Sequence, residues 1–118
     1  MKRSMFQISA CGLTFLLLLT TQIVIGAAKA ETPLMQGKGL TVEFCQACHY
    51  FEGTNQAGTV GPPLVAMKVR FPERERLKDV IYDPHRVTKP HSMMPPFGRN
   101  GLLDENQIQL IVDFLYTL

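Results

Sequence analysis

The segment Cys45-Gln46-Ala47-Cys48-His49 constrains this chain more than any other feature. Two thiols three residues apart on a helical turn can each form a thioether with one vinyl group of a porphyrin, while the next residue projects toward the iron. C-x-x-C-H is therefore read as an attachment site for c-type haem, with Cys45 and Cys48 as the covalent links. Once both links exist, His49 is held beside the iron as its proximal ligand. Three other readings compete. A redox-active C-x-x-C needs a preceding strand and a βαβ frame, which the sequence does not show. A zinc site needs two further ligands at suitable spacing, and His85 and His91 stand isolated on a Pro-rich stretch. A lone structural disulfide is the third. The adjacent histidine, the small size and an exported location favour haem over all of them.

Export is read from the first thirty residues. Lys2 and Arg3 form a positive start, Cys11 to Ile25 an apolar stretch, and Ala28-Lys29-Ala30 places small residues where a signal peptidase inspects them. The apolar run is interrupted by Thr20, Thr21 and Gln22 and is short for a span of about 20 residues, which argues against a retained anchor. The Ile8-Ser9-Ala10-Cys11 lipoprotein-like box precedes the apolar run instead of following it, so lipid attachment is not expected. The expectation is a leader over 1–30, cleaved after Ala30, and one domain over 31–118 in the periplasm. Lys2, Arg3 and Lys29 leave with the leader, so nine basic side chains remain against ten acidic ones, which excludes a nucleic-acid binder.

The rest of that domain reads as helical. Pro33 to Cys48 predicts a first helix with Leu34, Leu40, Phe44 and Ala47 as apolar contacts. Gly37 and Gly39 either fray it or let another helix cross closely, the second being the more economical in a small haem protein. Pro72 to Ile81 predicts a shorter helix with Leu77, Val80 and Ile81 turned inward. Asp104 and Gln107 form a capping box for a last helix, in which Ile108, Ile111, Val112 and Leu115 make one stripe and Leu110, Phe114 and Leu118 another. No alternating strand pattern is present. A domain of this size buries too little apolar surface for comfortable stability, so the haem-free chain is expected to be largely unfolded.

The iron also needs a ligand opposite His49, from Met35, Met67, Met93, Met94, His85 and His91. Met94 is the favoured choice because Pro95-Pro96 stiffens the loop that would press its thioether onto the iron. Met93 and His91 stay open. Met35 and Met67 read as pliable core filler. Within Gly61-Pro62-Pro63-Leu64, the Pro62 carbonyl is the candidate acceptor for the second ring nitrogen of His49, although the same residues would also make an ordinary turn. Phe97, with Pro95 and Pro96, either lines a partner surface or closes the distal pocket. No residue reads as a catalytic acid, base or nucleophile.

Cys45-Gln46-Ala47-Cys48-His49, Gly61-Pro62, Met94-Pro95 and the aromatic-bearing C-terminal helix resemble class I cytochromes c. Gly61 to Lys68, Arg70-Phe71-Pro72, Met94-Pro95-Pro96-Phe97-Gly98-Arg99-Asn100 and the ending Ile111 to Leu118 are more narrowly similar to the SoxX family, the monohaem subunit of the SoxAX sulfur-oxidation cytochrome. That resemblance implies an all-α class I cytochrome c fold of three to four helices around one covalent haem c. It also implies a periplasmic heterodimer with the SoxA cytochrome. In that family the complex joins thiosulfate oxidatively to a cysteine of the SoxY carrier, and the monohaem subunit passes the electrons to a downstream cytochrome without being an enzyme alone. Cys45, Cys48, His49 and Met94 would hold the haem and its iron. Leu103 stands where many class I cytochromes have Ser or Thr as the last helix cap, so Asp104 is expected to take that role. Two alternatives remain, a free-standing carrier between respiratory complexes and a haem-based ligand sensor.

Overall fold

Thr32 starts the first helix, its hydroxyl accepting from the Met35 N–H at 3.3 Å while Pro33 occupies the first helical turn. In the computed structural model, which describes residues 31–55, 58–88 and 90–118, this helix α1 spans Pro33–Cys45. The expected leader lies outside the described residues. α1 ends three residues earlier than the sequence predicts, because the N–H groups of Cys48 and His49 both turn back onto the Cys45 carbonyl, at 3.1 and 2.8 Å. Ala47 is consequently exposed on that turn instead of contributing an apolar contact, and Leu34 is exposed as well. Leu40 and Phe44 do pack against the core.

Four further helices follow: α2 Met67–Arg70, α3 Arg74–Tyr82, α4 Pro84–Val87 and α5 Glu105–Leu115. α3 begins slightly later than predicted and buries Leu77 and Ile81 while its charged residues face outward. α2 and α4 escaped the sequence reading because four residues make one turn, too few to show a period. At the start of α5 the Gln107 N–H donates to Asp104 Oδ1 at 2.8 Å, and the Asp104 N–H donates to Gln107 Oε1 at 2.9 Å, so Asp104 caps the helix that Leu103 cannot. α5 buries Ile108, Ile111, Val112, Phe114 and Leu115; it stops before Leu118, whose carbonyl instead accepts from the Met67 N–H at 3.1 Å.

α1 crosses α5 at Gly37. A Cβ there would lie 2.1 Å from the Leu110 carbonyl oxygen, so the two backbones touch where a side chain is missing. Gly39 faces open space and has no such role. Buried Thr41, one turn on from Gly37, satisfies its hydroxyl on the Gly37 carbonyl at 2.8 Å. Phe51 and Phe114 meet edge to face in the core, with ring centroids 6.1 Å apart. Arg74 ties the start of α3 to α5 by pairing with Asp113 and lying 4.3 Å over the Tyr116 ring, and the Tyr116 hydroxyl donates to the Phe71 carbonyl. Among the described residues there is no strand, and no helix is long and apolar enough to cross a membrane.

The two helix glycines should respond oppositely to alanine. Gly37→Ala is expected to destabilise by about 1–3 kcal/mol, the usual range for forced overpacking. Gly39→Ala should stabilise by roughly 0.5–1 kcal/mol through helix propensity alone. Denaturant melts of the purified, haem-loaded variants measure both. Asp104→Ala should cost about 1 kcal/mol in the same assay.

Candidate cofactor site

α1 delivers Cys45 at its last turn, and the tight turn that follows places Cys48 and His49 immediately beyond it. His49 is oriented by the loop that contains Pro62. Its Nδ1 lies 2.7 Å from the Pro62 carbonyl oxygen, a group that can only accept, so Nδ1 carries the proton and Nε2 keeps its lone pair for a metal. The loop runs beside the cysteine segment because the Gly61 N–H donates to the Cys48 carbonyl at 2.8 Å and the Leu64 N–H to the Tyr50 carbonyl at 2.7 Å. At Gly61 a Cβ would fall 2.3 Å from Cε1 of the imidazole, so a bare backbone is what lets the loop lie against the ring. Gly58 meets the backbone of Cys48 in the same way, at 2.4 Å. The sequence quotes Gly61 within a motif but attaches no contact to it, and Gly58 sends no signal at all.

A cavity of about 430 Å³ opens beside these residues, within the roughly 300–1,000 Å³ usual for cofactor pockets. Cys45, Cys48 and His49 line it together with Met94, Met93, His91 and Met67, so the structure brings the proximal group and four of the six distal candidates to one place. Much of its wall is apolar, from Phe44, Leu64, Met67, Leu77, Ile81 and Phe97, and no carboxylate lines it. Met94 is half-buried against the core, whereas Met93 is 82% exposed. Met67 is core as expected; Met35 is not, being exposed on the first turns of α1 where no neighbouring element covers it. His85 sits on α4, outside the cavity lining. Phe97 is buried and meets Phe44 edge to face at 6.0 Å, so it closes the cavity, and of its proline neighbours Pro95 alone is exposed.

The loop carrying Met94 is pinned by contacts the sequence did not announce. The N–H groups of Gly98 and Arg99 both donate to the Tyr82 carbonyl at 3.2 Å, and Arg99 pairs with buried Asp83 at 2.9 Å. The Met94 N–H donates to Ser92 Oγ at 3.2 Å. A guanidinium sixteen residues away from its carboxylate leaves no periodic trace, so this clasp is visible only in three dimensions.

Two further observations bear on the competing readings of the motif. Burial pushes the Cys45 thiol up to about 12, with neighbouring Cys48 adding to the rise. A redox-active C-x-x-C works through a thiolate of lowered pKa, the opposite direction. Among the described residues no three His, Cys, Asp or Glu side chains gather as a group that could hold a metal ion, whereas a zinc site takes four ligands. Two thiols and an imidazole with a free Nε2 beside a largely apolar cavity fit a porphyrin tethered through both sulfurs. A second cavity, of about 310 Å³, is lined by charged side chains such as Glu75, Lys78, Asp79 and Glu105 and carries neither thiol nor His49.

Replacing both Cys45 and Cys48 by Ala is expected to abolish native-like helicity and the cooperative melt, measured by far-ultraviolet circular dichroism, because the core is completed around the tethered group.

The family model described as cytochrome c oxidase, cbb3-type, subunit III matches residues 32–115. No curated protein and no solved structure matches the chain. Because the match spans most of the sequence, the chain belongs to that family: it is a c-type cytochrome with an all-α class I fold, it carries covalent haem c, and its role is electron transfer.

Proposed function

We propose that this c-type cytochrome is the monohaem, electron-accepting subunit of a periplasmic SoxAX complex, in which thiosulfate is coupled oxidatively to a cysteine of a SoxY carrier. The observation that carries the cytochrome reading is the convergence of Cys45, Cys48, His49 and Met94 on one carboxylate-free cavity. The narrower reading is supported by Met94-Pro95-Pro96-Phe97-Gly98-Arg99-Asn100 and by the terminal segment Ile111 to Leu118, which resemble SoxX.

Haem c, when attached, supplies reversible one-electron chemistry. Cys45 and Cys48 would tether it, and His49 would offer Nε2 while donating Nδ1–H to the Pro62 carbonyl, which holds the ring orientation. In this reading Met94 would supply a thioether to the iron, which would favour the reduced state and raise the potential relative to two imidazoles. Phe44, Phe97 and Leu64 give that space apolar walls. In this reading Cys45 and Cys48 are committed to the haem, and bond making at sulfur belongs to the partner cytochrome. The subunit takes up the two electrons singly and passes each to a downstream cytochrome.

A second reading is a free-standing carrier between respiratory complexes, favoured by the oxidase description of the matching family. Pull-down of the exported, haem-loaded protein from its native periplasm, read by mass spectrometry, separates the two. A second, thiosulfate-handling cytochrome should be recovered with it; recovery of no cytochrome partner overturns the subunit reading.

The distal assignment has its own check. Met94→Ala should abolish the sulfur-to-iron charge-transfer absorption, whereas Met93→Ala should retain it; the reverse pattern transfers the role to Met93.

A further inference from the structure

The tip of the loop against His49 consists of two consecutive prolines, Pro62 and Pro63, neither of which has an N–H. The loop ends are held by the N–H groups of Gly61 and Leu64, but the tip between them can be anchored only through its carbonyls. Two side-chain donors reach those carbonyls among the described residues. One is His49 itself, on the Pro62 carbonyl at 2.7 Å. The other is Arg70, whose guanidinium donates through one nitrogen to the Pro63 carbonyl at 2.6 Å and lies 3.5 Å from the Val65 carbonyl and 3.6 Å from Met67 Sδ.

Arg70 is itself well placed to hold something still. It ends α2, whose first residue, Met67, is buried and donates its N–H to the Leu118 carbonyl. The helix is entered through Ala66 in the left-handed region at φ 49°, which turns the chain sharply after the loop and brings Arg70 back over it. A contact with a cationic donor is stronger than one between neutral groups, and the guanidinium is rigid. Arg70 also lines the cavity.

From this geometry we infer that Arg70 is a positioning residue for His49: by gripping the Pro63 carbonyl it holds the adjoining Pro62 carbonyl on Nδ1–H and so sets the orientation of the imidazole. The inference rests on the haem reading above and adds to it a residue that touches neither the ring nor the iron.

The test uses the full chain, haem-loaded by cytochrome maturation machinery and reduced, with proton NMR following exchange of the His49 Nδ1–H with D2O. In Arg70→Met that exchange should accelerate about tenfold, as suits the loss of one charge-assisted hydrogen bond that restrains the acceptor. Arg70→Lys, which keeps a cationic donor, should restore most of the protection. Arg74→Met, which breaks the pairing with Asp113 and Tyr116 instead, should lower the melting temperature and leave the exchange as in the parent. If Arg70→Met does not retain haem, Arg70→Gln takes its place with the same readout and a smaller acceleration. Unchanged exchange without the guanidinium, equal acceleration in Arg74→Met, or failure of Lys to rescue overturns the inference. A parent protein without a c-type haem spectrum overturns the cytochrome reading itself, whereas a normal spectrum with unchanged exchange overturns only the role of Arg70.

Discussion

The contact of α1 with the Leu110 carbonyl at Gly37 is the constraint from which the rest of the arrangement follows. Two backbones that touch cannot slide or rotate as freely as helices separated by side chains, so the direction of α1 beyond the crossing is set by α5. Cys45 lies eight residues further on, about 12 Å along the axis, and that is where the helix must end for both thiols to reach the cavity. α5 in turn is anchored by its capping box and by the burial of five of its side chains. A rigid crossing thus converts the stability of the last helix into the position of the cysteine pair.

Outside α1 the cavity is walled by residues of α2, α3 and the start of α4 and by two irregular loops. The Gly61–Leu64 loop and the Met94–Phe97 loop have almost no regular hydrogen bonding of their own, and each is stiffened by two prolines and then tied down by a distant group. For the first loop the tie is Arg70; for the second it is the Tyr82 carbonyl and the pairing of Arg99 with Asp83. Such ties suit an electron carrier, whose site should change little between oxidation states, and they explain how a chain with short helices holds a defined pocket. The ion pair at Arg99 has a buried carboxylate at one end, so its loss would leave a charge without its partner in a poorly solvated place.

Several features could be read directly from residue order, because their physics is local. The C-x-x-C-H spacing, the Asp104 and Gln107 capping box, the apolar stripe of α5 and the inward side of α3 each involve residues within about a helical turn or two of one another. Where the sequence misled, the reason was either a local choice of hydrogen bond or what packs nearby in space. The early end of α1 depends on two N–H groups that choose the Cys45 carbonyl, and Ala47 is exposed because the chain has already turned. Met35 lacks a neighbour to cover it, which no pattern of apolar residues could reveal.

Residue order alone was enough to mark the C-x-x-C-H spacing, the helical class and the side chains that could reach an iron, since these depend on residue type and short spacing. Only the tertiary structure decided which of two helix glycines is a crossing point, that Phe97 faces inward, that the Pro62 carbonyl lies within hydrogen-bond distance of His49, and that Arg70 and Arg99 are the clasps. Those are matters of distance between segments far apart in the chain, and hydrogen bonds and steric contacts act over a few ångströms of space whatever the separation in sequence.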